Sequence, residues 1–397
     1  VWHQIKFTLP FHFVIPSKPS VQRIHPLTSY FSVLHQDPQS QARVTQLQLP
    51  HGEVLTPVFM PVGTFGTVRH VTHEDMETVG SSIILGNTYH LYLRPGPKLL
   101  SLESTSNYHN FIHWKKPILT DSGGFQIFSL PHQRQISEKG VRFKSYIDGS
   151  YHSFTPESNI AFQEHLGSDI MMVLDVCVPS TSEKHVCREA MERTHRWAKR
   201  ALEAKTRTDT KLFGIVQGAI FEDLRRESAE YLTSLPFDGY ALGGLAVGET
   251  DEERDHFTRF GASLLPYNSP RYLMGVGTPH DLVRGVEAGI DMFDCIIPTN
   301  HAKQGLAYTW KGKVKLRRLE HQKESQPLDP NCSCPVCLRY SRRYLYQLFK
   351  SGEPTSWRLI SLHNLWFYEE LTQRMRQHIQ AGTFRAFAAD FLREVPD

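Results

Sequence analysis

Two aspartates and a cluster of cysteines are the residues whose setting in this chain most invites chemistry. Asp294 lies within Met292–Ile297, an otherwise apolar run bounded by Gly289 and Pro298. Length and flanks of this kind mark a buried strand. A carboxylate in such surroundings must find hydrogen-bond donors to replace its lost water. Two readings follow: a structural Asp tied to backbone amides, or a nucleophile held rigid in a dry site. Asp121 opens DSGGFQ, Asp121–Gln126, where Gly123 and Gly124 permit a tight turn and close backbone approach to a ligand. The alternative there is an Asp that caps the following helix. Two carboxylates with separate duties, one a nucleophile and one a proton shuttle, suit double displacement at a sugar carbon through an oxocarbenium-like transition state.

Cys332, Cys334 and Cys337 form CxCxxC within NCSCPVC. Three thiols this close, with Pro335 in the turn, predict a tetrahedral zinc that needs one more ligand. The CxC spacing is too tight for an easy disulfide. His301, His321 and His363 are the candidates for the fourth position. With no open coordination position the one zinc is structural. The remaining cysteines, Cys177, Cys187 and Cys295, are scattered, which points to a reducing compartment rather than a disulfide framework.

These groups need elements to hold them. Short apolar runs recur at Val58–Val62, Ser82–Leu85, Pro117–Leu119, Ile170–Leu174, Leu212–Val216, Tyr240–Leu242, Tyr272–Val276 and Met292–Ile297. Between them Glu183–Lys205 has the periodicity of an amphipathic helix opened by Ser182. Glu222–Leu232, Asp251–Leu265 and His280–Ala288 are shorter versions, the last preceded by Thr278 as N-cap and Pro279 at N1. Strand alternating with helix eight times predicts an α/β fold, a (β/α)8 TIM barrel, with an open doubly wound sheet as the alternative. Thr45–Leu55 reads as a hairpin lid turning at His51-Gly52, and Arg142–Thr155 as an inserted hairpin turning at Asp148-Gly149.

The barrel supplies a test, because catalytic groups of this fold gather at the C-terminal ends of the strands. Asn87 and Thr88, Asp121, Asp175, Gln217, Gly243-Gly244, Gly275 and Gly277, and Asp294 all fall there. Asp175 and Gln217 offer acceptors and an amide to the edge of a flat heterocycle. Gly243, Gly244 and Leu245 add backbone groups, and Phe125 and Met274 supply stacking faces. Together they describe a site for a purine-like base. No nicotinamide fingerprint, P-loop or HExxH is present.

The formal charge of +3 over 397 residues says little, but nine Lys and Arg fall between Lys311 and Arg343 against three acids, Glu320, Glu324 and Asp329. That segment is either a solvated face or a phosphate-facing patch. No apolar run approaches the length of a membrane span. The organisation expected is an N-terminal extension over 1–27 without predictable fold, a catalytic barrel over 28–310, and over 311–397 a zinc-binding segment with C-terminal helices packed on the barrel. The extension is a poor signal peptide.

DSGGFQ at Asp121–Gln126, IVQG at Ile215–Gly218, GGLAVGE at Gly243–Glu249, YLMGVGTP at Tyr272–Pro279 and FDCIIPT at Phe293–Thr299, with CxCxxC and a distal His, resemble the bacterial-type tRNA-guanine transglycosylases, the queuine tRNA-ribosyltransferases. The resemblance implies a cytoplasmic pentosyltransferase that exchanges guanine at the anticodon wobble position of tRNA for a 7-deazaguanine. It implies that Asp294 is the nucleophile and Asp121 the general acid/base. Asp121, Ser122, Gly123, Gly124, Phe125, Asp175, Gln217, Gly243, Gly244, Leu245 and Met274 would bind the base. Gly275, Val276, Gly277, Thr278, Pro279, His280 and Asp281, with Thr299, Asn300, His301, Ala302 and Lys303, would meet the anticodon loop. Cys332, Cys334, Cys337 and His363 would hold zinc, and the chain would form a homodimer. Asn300 and Lys303 stand where members usually carry Arg, which exchanges a bidentate fork for a point charge at Lys303. Cys177 and Glu249 suit 7-aminomethyl-7-deazaguanine as the incoming base, while Phe125 leaves queuine open.

Overall fold

The computed structural model describes residues 30–100, 108–130 and 134–395, so the expected extension over 1–27 lies outside the described residues. Eight parallel strands form the centre: β1 (Val58–Pro61), β2 (Ile84–Gly86), β3 (Ile118–Thr120), β4 (Ile170–Met172), β5 (Lys211–Val216), β6 (Gly239–Leu242), β7 (Arg271–Leu273) and β8 (Met292–Cys295). Each pairs with the next from β2 to β8, β8 pairs with β1, and a parallel bridge from Val62 to Leu85 joins β1 to β2. The sheet therefore closes into the (β/α)8 barrel, and the open alternative is excluded. The strands are short and buried on both faces, which is why they read as apolar runs without alternation.

Helices Pro156–Leu166, Lys184–Ala204, Glu222–Thr233, Asp251–Leu264 and Pro279–Glu287 connect successive strands from β3 to β8. Thr278 caps the last of them, accepting from the Asp281 N–H while the Asp281 carboxylate accepts from the Thr278 N–H, each at 3.1 Å. The expected opening of the long helix at Ser182 is displaced by one residue: the N-cap is Glu183, without a side-chain cap bond. The eighth strand ends at Cys295 rather than Ile297, because Ile297–Lys303 is helical with Pro298 in its first turn. Proline at that place is pre-set for a helix, and the apolar Ile296-Ile297 pair hid the boundary.

The predicted lid is a sheet of three antiparallel strands, Phe31–Gln36, Arg43–Leu49 and Gly52–Thr56, and it turns at Pro50-His51. It closes the N-terminal end of the barrel, opposite the rim that carries Asp294. Asp291, just before β8, accepts from the Arg43 guanidinium at 2.9 and 2.7 Å. Asp169, just before β4, accepts from the His51 backbone at 3.0 Å. Between β3 and β4 the inserted hairpin gains a third strand: Arg134–Ile136, Val141–Lys144 and Tyr151–Phe154 form one antiparallel sheet. After β8 come a hairpin (Leu306–Thr309 with Gly312–Lys315), a long helix (Pro354–Gln380) and a last helix (Phe384–Glu394). One buried apolar cluster joins barrel side chains such as Ile215 and Met292 to Leu365 and Tyr368 of the long helix. No helix among the described residues is long and apolar enough to cross a membrane.

Candidate active site

Alternation along β8 decides what Asp294 faces. Phe293 is turned away from the barrel interior and lies against Gly285 of the neighbouring helix, so closely that a Cβ there would come within 2.6 Å of its ring, while the Cys295 thiol donates to the Gly277 carbonyl at 3.2 Å. Asp294, on the other face, opens into a cavity of about 510 Å³ at the C-terminal rim. Asp121 lines the same cavity, as do Ser122, Gly123, Gly124, Phe125, Asp175, Gly243, Gly244, Leu245, Met274 and Gly275. The two aspartates that the sequence sets far apart thus share one space.

Each carboxylate is fixed differently. Oδ1 of Asp294 accepts from the Tyr272 hydroxyl at 2.6 Å and from the Gly275 N–H at 2.7 Å. Among the described residues nothing donates to Oδ2, which leaves it available to a reacting atom. Gly275 can aim its N–H this way because its φ is +70°, a conformation that glycine adopts without strain. Asp121 accepts from the Asn87 amide at 2.6 Å, the Thr88 N–H at 2.8 Å and the Gln126 amide at 2.9 Å. Burial outweighs these donors and pushes its pKa up to about 6, with the Asp294 charge adding to the shift. Burial also raises the Asp294 carboxyl, against the two donors that favour its ionised form. The helix-cap alternative for Asp121 falls away: the following helix, Gly124–Phe128, has Gly123 at its N-cap with no side-chain bond.

A third acid sits deeper. Asp175 accepts from Ser122 at 2.9 Å and from the Gln217 amide at 2.8 Å, and burial raises its pKa to about 6. Gln217 does not line the cavity itself but stands behind Asp175 and the two glycines. A Cβ on Gly244 would lie 2.5 Å from Gln217 Oε1, and one on Gly243 would lie 2.8 Å from its Nε2. Phe125 is exposed at the mouth, and Met274 is half-buried on the opposite rim. Gln217 was expected on the base edge and is instead spent on Asp175. An acid and bare backbone at one end, with carboxylates at the other, can hold a flat heterocycle and work on the bond that joins it to a sugar.

The residues expected to meet RNA are less uniform. Gly275 reaches the cavity, Lys303 is exposed with its ammonium 5.6 Å from the Trp357 ring, and Asn300 and His301 are half-buried. Val276, Gly277, Pro279, His280, Thr299 and Ala302 are buried, and Thr278 and Asp281 are engaged with each other in the helix cap. In the basic segment Lys311, Lys315, Arg318, Lys323, Arg339 and Arg343 are exposed, whereas Arg342 turns inward to the Leu328 carbonyl at 2.8 Å.

The cysteines of CxCxxC converge on His363 of the long helix. Its Nδ1 lies 3.8, 3.4 and 3.3 Å from the sulfurs of Cys332, Cys334 and Cys337, and all four residues are buried. A tetrahedral ion with Zn–S near 2.3 Å and Zn–N near 2.0–2.1 Å separates its N and S ligands by roughly 3.5 Å, so the donor set fits zinc. His363 Nε2 lies 2.7 Å from the Tyr308 carbonyl and must donate to it, which leaves Nδ1 unprotonated toward the thiols. His321 bonds Glu324 instead, and His301 bonds the Tyr308 hydroxyl. The long helix begins at Pro354, which is pre-set for its first turn, so His363 lies well inside it.

A family model described as queuine tRNA-ribosyltransferase matches residues 37–397. The chain belongs to the queuine tRNA-ribosyltransferase family. Similar curated proteins bear that name too. One from Oleidesulfovibrio alaskensis is 50% identical over 88% of this chain and 93% of its own length. One from Halothermothrix orenii is 46% identical over 92% and 97%. One from Solidesulfovibrio magneticus is 50% identical over 88% and 94%. Every candidate residue of this family member lies within the matched span. Reading the sequence passed over Tyr272, Gln126 and the individual roles of Asn87 and Thr88. A tyrosine inside a strand reads as core. Asn87 and Thr88 had only their place after β2 to signal them.

Proposed function

We propose that this queuine tRNA-ribosyltransferase family member exchanges guanine at the wobble position of tRNAs with GUN anticodons for 7-aminomethyl-7-deazaguanine. The observation that carries the reading is the shared cavity, with Asp294 held through Oδ1 alone and Asp121 still protonated near pH 6. Asp294 Oδ2 attacks C1′ of the ribose, the C1′–N bond breaks, and its electron pair leaves with guanine, which takes the proton from Asp121. The incoming base returns a proton to Asp121, and its nitrogen displaces the Asp294 carboxylate from C1′. Asp175 and Gly244 bind the base edge, between Phe125 and Met274, and Gln217 orients the Asp175 carboxylate from behind. One structural zinc fills the Cys332, Cys334, Cys337 and His363 cluster, and the working unit is a homodimer. Incubating the protein with unmodified tRNA and each candidate base, then weighing the digested nucleosides, tests the exchange. Incorporation of 7-aminomethyl-7-deazaguanine is expected, and no incorporation of any 7-deazaguanine would overturn the proposal.

The acid limb makes a pH prediction. Asp121 carries its proton below about pH 6 and loses it above. Adduct formation, which consumes that proton, should therefore fall about tenfold per pH unit above that point. Capture of the incoming base, which needs the carboxylate, should improve over the same window. Single-turnover rates against pH for the two half-reactions should show opposite slopes, and Asp121→Asn should abolish the first slope.

Gly124→Ala should damage base recognition. The new Cβ would stand 2.3 Å from Asp175 Oδ1, so the carboxylate must move away from the base. Loss of charge-assisted hydrogen bonds predicts a drop in guanine affinity of roughly tenfold or more by calorimetry. The overpacking itself should cost only about 1–3 kcal/mol of stability.

A further inference from the structure

We infer that Arg225, which does not itself line the cavity, is a positioning residue that strengthens the Gly244 N–H as a donor to the base's carbonyl oxygen. Arg225 lies on the helix Glu222–Thr233 and is completely buried. Its Nε donates to the Ala219 carbonyl at 2.7 Å, and its Nη2 to the carbonyls of Gly243 at 3.2 Å and Gly244 at 3.4 Å. Among the described residues no carboxylate pairs with it, and its Nη1 is buried without a partner. Burial lowers its pKa only to about 10, so it remains a cation at neutral pH.

Its Cζ lies 5.8 Å from the centre of the Phe257 ring, but a buried guanidinium without a carboxylate partner is still a costly way to cap carbonyls, since a neutral amide would do so at far lower desolvation cost. What the charge adds is polarisation. The Gly243 carbonyl and the Gly244 N–H belong to one peptide, so a cation on the oxygen draws electron density from the nitrogen and sharpens its hydrogen. Among the described residues the Gly244 N–H has no acceptor, and Gly244 lines the cavity. A base whose carbonyl oxygen meets that N–H gains most when it is leaving as an anion, because negative charge then spreads onto the oxygen. Gly218 leaves room for the first turn of that helix and the Arg225 stem: a Cβ there would come within 2.7 Å of the Arg225 backbone N and 2.8 Å of its Cγ.

This inference rests on the base-binding reading above, and its test separates the two. Guanine and 2-aminopurine, which lacks the carbonyl oxygen, are bound to the zinc-loaded full chain and compared by calorimetry. Wild type should prefer guanine. Arg225→Met should lower guanine affinity roughly tenfold while 2-aminopurine changes less than about twofold. It should also slow adduct formation on tRNA without a matching rise in KM for tRNA. Arg225→Lys, which keeps the charge on a flexible stem, should recover most of the preference and serves alone if the Met variant does not fold. Equal losses for both bases, no loss for either, or a folded Lys variant without preference would overturn the role of Arg225 and leave the exchange reading standing. A wild type that binds neither base, or binds both alike, would remove the base-site reading and this inference with it.

Discussion

Asp294→Asn should form no denaturant-resistant adduct with tRNA, and its exchange rate should fall by at least about four orders of magnitude, the scale on which losing a nucleophile acts. The fold should not be the reason. An asparagine oxygen can still accept from the Tyr272 hydroxyl and the Gly275 N–H, which hold Oδ1 at 2.6 and 2.7 Å, so the side chain stays aimed. What changes is the group facing C1′: an amide nitrogen without a nucleophilic lone pair replaces Oδ2. A neutral side chain also removes the negative charge that stabilises the oxocarbenium-like transition state. Burial that raises the Asp294 carboxyl also sets the cost of keeping it ionised, and the Asn variant escapes that cost. Its melting temperature should therefore match wild type or exceed it slightly. Denaturing gels of enzyme and tRNA, read beside thermal melts, check both halves. Normal adduct formation by a well-folded Asn variant would remove Asp294 from the nucleophile's role.

How far the sequence disclosed this site depends on which physical signal each residue carries. Asp294 was legible because a charge inside an apolar run is anomalous. Asp121 and Asp175 were legible because strand ends in a barrel point to one rim. The cysteines were legible because their spacing is that of metal ligands. Tyr272 and Arg225 were not. A tyrosine in a strand and an arginine on an amphipathic helix are what packing alone would place there, and only coordinates show the hydroxyl on Asp294 and the guanidinium under Gly243. The end of β8 was misread for a related reason. Hydrophobicity continues through Ile297, while the backbone has already turned helical. The lid's third strand, Phe31–Gln36, is largely exposed and that of the insertion, Arg134–Ile136, is only three residues long, so neither has a sustained apolar period to announce it.

Removing the metal should cost this protein more stability than any single change in the cavity. Structural zinc in thiolate sites binds with an apparent free energy of about 10–16 kcal/mol, which rivals the whole stability of a typical domain, about 5–15 kcal/mol. Cys334→Ser or exhaustive chelation leaves the remaining donors crowded in a buried space, with no ion to hold them together. The damage should travel along the long helix, because residues next to His363 tie it to the cavity end of the barrel. Asn364 donates to the Pro298 carbonyl at 2.9 Å, one residue before Thr299, and accepts from the Tyr308 N–H at 3.0 Å. Tyr368 donates to the Gly277 carbonyl at 2.8 Å, in the loop that begins at Gly275. Loosening that helix therefore frees both segments that flank Asp294, the Gly275 loop and the helix Ile297–Lys303. Metal analysis should find one zinc per chain in wild type and none in Cys334→Ser. The variant should melt at least about 10 °C lower, with hydrogen exchange rising first in Pro354–Gln380 and then in the Gly275–Thr278 loop. Adduct formation should be lost with it, although every cavity side chain is unchanged. A metal-free protein that keeps its melting temperature and its protected long helix would show that the cluster is not what holds the C-terminal segment to the barrel.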